Sequence, residues 1–220
     1  VGSYPGSMSQ RSVRLTVAVC LAIGAASCGG DDPVTVTASG TRVQTAQGEA
    51  LLYGDGPYGV VLAHGAAYDA ASWDQQAMAI AEAGHTALAV EDISADGIEA
   101  GVGYLSEERG IASVALVGAS AGAGGTLALA TAQPDLPDQL ILLSPNSVVD
   151  GLGDEPKLFI ASEDEAVSDV SRTLADNGPG ASNEAMLLPG DAHAQGLFET
   201  DQAERVQQAM LDRLDQFADG

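Results

Sequence analysis

The chain has very few aromatic residues. Phenylalanine, tyrosine and tryptophan make up 4% of its 220 positions, so a core has to be assembled from Ala, Val, Leu and Ile. Cations are scarce as well. Lys157 is the one lysine, and Lys plus Arg number 8 against 31 Asp plus Glu. The resulting net charge of −23 at pH 7 argues against nucleic acid or an anionic membrane surface as partner, because both repel a polyanion. The acids are scattered rather than blocked, which marks a solvated acidic surface and not an acidic binding tail. Cysteine is confined to Cys20 and Cys28, so a folded domain beyond them is expected to hold neither a disulfide nor a cysteine metal site. No internal repeat and no long low-complexity tract is visible.

The first residues read as an address. Arg11 and Arg14 precede the run LTVAVCLAIGAA, Leu15 to Ala26, and then SCGGDD. A positive flank, a dozen mostly apolar residues and small residues at the end fit a secretory signal. The run is too short for a membrane-spanning helix, which needs about 20 residues. AASC, Ala25 to Cys28, resembles a bacterial lipoprotein cleavage box, although such boxes usually carry leucine where Ala25 stands. By that resemblance 1–27 is a signal peptide, Cys28 is the lipidated first residue of the mature chain, and 28–33 is a linker. An ordinary secretory signal or a buried N-terminal helix are the other readings of the same stretch. The expected location is extracellular or in the cell envelope.

From residue 34 to 220 the pattern is that of one domain in which apolar strands alternate with helices. VTVTA (Val34–Ala38), ALLY (Ala50–Tyr53), GVVLAH, TALAVEDI, QLILLSP, KLFIAS and EAMLL read as strands. QQAMAIAEAG, IEAGVGYLSEERG, EAVSDVSRTLADNG and QAERVQQAMLDRLDQFA read as helices, the last with Val206, Met210, Leu214 and Phe217 on one face. Strands of continuous apolar character between helices predict an α/β architecture, a mostly parallel sheet covered on both faces. Working residues in such sheets sit at the carboxyl ends of strands.

One segment breaks the rules for both strand and helix. SVALVGASAGAGGTLALA, Ser113 to Ala130, begins as strand and ends as helix, yet four of the eight residues from Gly118 to Gly125 are glycine. Each costs a helix roughly 1 kcal/mol relative to alanine. Gly118-Ala119-Ser120-Ala121-Gly122 is G-x-S-x-G between a strand and a helix, the setting in which a sharp turn exposes the serine hydroxyl. The turn carries neither the lysine of a P-loop nor dinucleotide-site glycine spacing. A serine needs a base, and the chain has 3 histidines. His64 begins HGAAYDAASW after an apolar strand. His85 lies between a helix stop and a strand start and reads as a surface loop residue. His193, in LLPGDAHAQGLF, follows the last strand and is the candidate base. An orienting acid is expected between serine and histidine. Asp164, three residues after Ala161, is favoured, with Glu163, Glu165 and Asp169 as competitors and Asp150 as an alternative one strand earlier.

These residues, in the order serine, acid, histidine, resemble those of the α/β-hydrolases, specifically small lidless bacterial members of the dienelactone-hydrolase and esterase type. The resemblance runs from roughly Val34 to Phe217. It implies a serine hydrolase of carboxylic esters, with no metal and no cofactor. Ser120 would be the nucleophile, His193 the base and Asp164 the acid. The backbone amides of Ala121 and Ala66 would form the oxyanion hole. His64, Gly65, Tyr68 and Trp73 would line the substrate pocket, although Trp73 reads equally well as a core anchor. The partner expected is a small-molecule or polymeric ester substrate, and the protein itself is expected to be a monomer. Acyl transfer or thioester hydrolysis could use the same machinery, and a noncatalytic surface lipoprotein could keep the same fold. Two positions depart from the family pattern: Ala161 stands for the usual glycine before the acid, and His193-Ala194 for the usual His-Gly.

The charge balance has a measurable consequence. Cleavage before Cys28 removes Arg11 and Arg14 and no acid, leaving 31 acids against 6 Lys plus Arg, a net −25. Self-repulsion at that charge is screened by salt over a Debye length of about 8 Å near 0.15 M. The melting temperature should therefore rise as sodium chloride goes from low to molar concentration. A flat or falling melting temperature would contradict the repulsion argument.

Overall fold

A computed structural model describes residues 38–218 of the chain. The expected signal segment, Cys28, the linker and all but the last residue of the expected strand Val34–Ala38 lie outside the described residues.

The first described strand is one without a sequence signal. β1 (Thr41–Thr45) turns through Ala46 and Gln47 into β2 (Gly48–Tyr53), antiparallel, with Thr45 opposite Gly48. TRVQT contains no buried residue, so it shows no apolar alternation. It lies at the sheet edge, where one neighbour is enough. The other strands are those expected: β3 (Gly59–Ala63), β4 (Thr86–Val90), β5 (Val114–Ala119), β6 (Gln139–Leu143), β7 (Lys157–Ser162) and β8 (Asn183–Leu188). The order across the eight-stranded sheet is β1-β2-β4-β3-β5-β6-β7-β8. β2 runs antiparallel to β4, and every pair from β4 to β8 is parallel.

The helices are α1 (Asp74–Glu82), α2 (Ala95–Arg109), α3 (Ala121–Ala132), α4 (Ser168–Asn177) and α5 (Ala203–Phe217). Short 3-10 turns cover Ala70–Trp73 and Ala194–Glu199. Alternation along each strand sends residues to two cores. Val60 and Leu62 pack with Ile80 of α1 and Val206, Met210 and Leu214 of α5. Val61 and Ala63 pack with Ile98 of α2, Leu127 of α3 and Leu174 of α4 on the other face. This is the doubly covered parallel sheet that the sequence pattern implies. Phe217 is only half-buried, with the Arg213 guanidinium 4.7 Å above its ring.

Two expectations need correction. α4 starts at Ser168, three residues after the predicted Glu165, because Glu163 to Val167 form turns instead. His85 is buried, 6% exposed, rather than a surface residue. The turn into β4 lies under α5, so the ring bonds Asp215 Oδ1 at 3.0 Å and meets Tyr58 edge-on at 5.7 Å.

The junction of β5 and α3 is packed to contact. A Cβ on Gly118 would lie 2.6 Å from Thr126 Oγ1 and 2.7 Å from Ala123 Cα; one on Gly122 would collide with the carbonyls of Ala63 and His64. Backbone cannot yield as a side-chain tip does. Gly122→Ala should therefore cost about 1–3 kcal/mol, the usual range for overpacking. Thermal unfolding would show a Tm lower by several degrees, and an unchanged Tm would mean that α3 can move off the sheet.

Candidate active site

Parallel strands bring their carboxyl ends to one edge, and the loops there carry the chemistry. Ser120 is the single residue between β5 and α3. Its backbone sits at φ 51°, ψ −109°, a region that non-glycine residues avoid. Its N–H donates to Leu143 O at 2.9 Å, which ties the turn to the end of β6. α3 follows at once, and the first amides of a helix have no intrahelical acceptor. Ala121 N–H is one of these.

His193 follows β8 and caps the 3-10 turn at Ala194–Glu199. Its Nε2 is 2.8 Å from Ser120 Oγ, and its Nδ1 is 2.6 Å from Glu165 Oε2. With Nδ1–H donating to the carboxylate, Nε2 is left to accept the serine proton. The imidazole is half exposed, whereas the Glu165 side chain is 4% exposed. The other carboxylate oxygen is also occupied: Glu165 Oε1 accepts from Ser162 N at 2.9 Å and from Ser144 Oγ at 2.7 Å. Ser144 Oγ in turn accepts from Ala194 N at 2.9 Å. The buried carboxylate is thus hydrogen-bonded at both oxygens, as a buried charge requires.

The third loop follows β3. Gly65 N donates to Gln195 Oε1 at 2.8 Å, and Tyr68 N donates to Gly65 O at 3.0 Å, making a turn over residues 65–68. A Cβ on Gly65 would come within 3.7 Å of Ala119 O, so this loop lies against the strand end that carries Ser120. His64, 7% exposed, places Nδ1 2.8 Å from Gly65 O and Nε2 3.3 Å from Glu91 O. Among the described residues, no group of three or more His, Cys, Asp or Glu side chains is placed to hold a metal ion.

No protein-family model and no curated protein sequence matches the chain. Solved structures do match. A dienelactone hydrolase from Anabaena variabilis superposes with a TM-score of 0.66 at 16% identity, over 83% of this chain and 98% of that one. A thermophilic esterase from Thermogutta terrifontis gives 0.62 at 15% identity, over 82% and 100%. A CIB-like hydrolase from Thermoplasma acidophilum gives 0.63 at 17% identity, over 81% and 98%. The chain has the α/β-hydrolase fold. At these identities the likeness is one of fold, and the chemistry has to be read from the side chains.

Within this α/β-hydrolase fold the expected serine and histidine meet, and the expected acid does not join them. Asp164 is exposed, and its place on His193 is taken by Glu165. The cause is the turn after β7. Glu163 N and Asp164 N extend the ladder onto Leu188 O and Gly190 O. Only then does the chain fold back, turning Glu165 inward to Ser162 N. Asp150 is exposed in the segment between β6 and β7, which contains no helix or strand. Tyr68 is 37% exposed beside Gly65. Trp73 is fully buried and packs edge-on against Phe198 at 6.0 Å, so it is a core anchor and lines no pocket. Ala66 is exposed at the turn and Ala121 opens α3.

The two departures from the family pattern differ in consequence. Ala161 lies in extended backbone within β7, paired with Leu187, where alanine is unrestricted. Ala194 is at φ 51°, where glycine is free and alanine is strained by roughly 1–2 kcal/mol. Ser144 and Gln195 were not singled out from the sequence. Their signals were weak: a serine ending an apolar strand before Pro145, and a glutamine two places after the histidine.

The acid assignment is open to direct test. Glu165→Gln keeps the shape but offers His193 an amide. It should slow fluorophosphonate labelling of Ser120 by about 10³–10⁴-fold, the size of effect that tautomer loss has in serine triads. It should also remove the downfield His193 Nδ1 proton from the NMR spectrum. Asp164→Asn should do neither. The reverse pattern would return the role to Asp164.

Proposed function

We propose that the chain is a serine hydrolase that cleaves carboxylic esters through an acyl-enzyme on Ser120. The supporting observation is the unbroken hydrogen-bond chain from Ser120 Oγ through His193 to Glu165. The fold shared with hydrolases and esterases agrees with it. In this reading Ser120 Oγ attacks the acyl carbon while His193 Nε2 takes its proton. Glu165 stabilises the imidazolium that forms and holds the ring in one tautomer. The tetrahedral oxyanion accepts from the amides of Ala121 and Ala66. Collapse breaks the bond to the alcohol, which leaves with the proton from His193. A water then repeats the sequence in reverse, with His193 as base, and frees the carboxylic acid.

The short connection between β6 and β7, which holds no helix or strand, favours an open site and ester substrates with short or flexible acyl groups. We further propose that the protein acts outside the cytoplasm, anchored through Cys28 or released. The Leu15–Ala26 run and the box ending at Cys28 support that reading.

A fluorophosphonate probe should label the wild-type protein and leave Ser120→Ala unlabelled. Ser120→Ala and His193→Ala should each lower kcat on a short-chain ester by at least about 10³-fold. Because the residues act as a unit, the double variant should be little worse than either. Wild-type turnover in Ser120→Ala would overturn the mechanism.

A further inference from the structure

We propose that Gln195 is a positioning residue that holds the oxyanion loop in register with His193, an inference that rests on the hydrolase reading above. Gln195 is 4% exposed and uses both ends of its amide. Oε1 accepts from Gly65 N at 2.8 Å, and Nε2 donates to Ser72 Oγ at 2.7 Å. Ser72 Oγ donates to Asp69 O at 2.5 Å, and Ser72 N donates to Asp69 Oδ1 at 3.0 Å. One side chain therefore clamps both ends of the segment from Gly65 to Ser72, bridging 130 positions in sequence at its Gly65 end.

The clamp holds the peptide that precedes the oxyanion donor. Gly65 is held on its N–H by Gln195, and its carbonyl accepts from Tyr68 N and His64 Nδ1. The carbonyl of Gly65 and the N–H of Ala66 belong to one planar peptide and point in opposite directions. Fixing the first fixes the direction of the second. With Gln195 holding the peptide on the amino side of Gly65 and Tyr68 N holding the one on its carboxyl side, Ala66 N–H is set before any substrate arrives, and a preorganised donor needs no reorganisation as charge develops. The base end is equally fixed. Ala194 N donates to Ser144 Oγ, so the segment from His193 to Gln195 is tied to the serine that also bonds Glu165. Base and oxyanion donor are thus set by neighbouring residues of one short segment, although they act on opposite sides of the reacting carbon.

The role separates from mere stability by what it moves. Gln195→Leu keeps the volume and removes both hydrogen bonds. It should lower kcat on a soluble short-chain ester by about 10–100-fold, less than or near the loss of one oxyanion donor. KM should stay within about twofold, since ground-state binding does not use the hole. Inhibition by a trifluoromethyl ketone, whose adduct carries the oxyanion, should weaken by the same factor as kcat. The pH profile of kcat/KM should not move, because the pair of His193 and Glu165 is untouched. Ser72→Ala removes only the distant hydroxyl and should show a smaller loss of the same kind. Added to Gln195→Leu it should cost nothing more. If Gln195→Leu does not fold, Ser72→Ala decides alone. The inference is overturned if kcat stays within twofold of wild type, if the loss falls on KM, or if the ketone binds as before. A wild type without Ser120-dependent turnover would instead sink the hydrolase reading, and this inference with it.

Discussion

Ser120 stays at positive φ because α3 has nowhere else to go. Gly118 lets Ala123 and Thr126 close on β5, and Gly122 lets α3 close on the end of β3. With both contacts made, the chain must reverse from strand to helix within one residue. Ser144 at φ 47° and Ala194 at φ 51° are the other non-glycine residues with positive φ among the described residues. All three belong to the same hydrogen-bonded assembly. Ser120 N reaches Leu143 O, Ser144 N reaches Ile160 O at 2.7 Å, and Ala194 N reaches Ser144 Oγ. Left-handed backbone in an L-residue costs roughly 1–2 kcal/mol each time. Such strain persists only where surrounding contacts over-determine it. Here the packing of α3 sets the first of these turns, hydrogen bonds to the neighbouring strand brace the first two, and the Ser144 hydroxyl braces the third.

That arrangement explains what was legible in the sequence. Ser120 could be read because its neighbours are constrained by backbone contact, and only glycine satisfies that. His193 could be read because three histidines left few choices and it alone follows a late strand. The parallel sheet was legible because its strands are buried on both faces. Glu165 was not legible, since Glu163, Asp164 and Glu165 are chemically near-equivalent. Which of them turns inward depends on where the ladder with β8 ends, a property of two strands together. A reading that extends α4 back to Glu165 misses the turn that selects it. β1 and Gln195 failed for related reasons. The first is stabilised by an edge pairing that no side chain records, and the second by a loop that is distant in sequence.

The acid loop depends on β7, and β7 is where an acidic chain has placed its buried cations. Lys157 opens the strand, fully buried, with Nζ donating to Gly153 O at 2.7 Å, Glu155 O at 2.6 Å and Pro179 O at 3.0 Å. Arg213 reaches across from α5 to donate to Lys157 O at 3.0 Å and to Ser182 O. Burial lowers the pKa of both cations and raises that of Glu155, whose carboxylate lies 3.6 Å from Lys157 Nζ. A cation buried without partners is strongly destabilising, with about 3–5 kcal/mol lost when one member of a buried pair is removed. The carbonyls around Lys157 must therefore stay where they are, and they come from the segments leading into β7 and into β8. This fixes the amino ends of the two strands against each other. Their register is then set along its length, from Lys157 opposite Asn183 to Ser162 opposite Leu188. The position at which the ladder runs out, and hence the residue that turns back to meet His193, follows from that register. Placing a lysine at one end of the strand thus bears on which carboxylate is presented at the other.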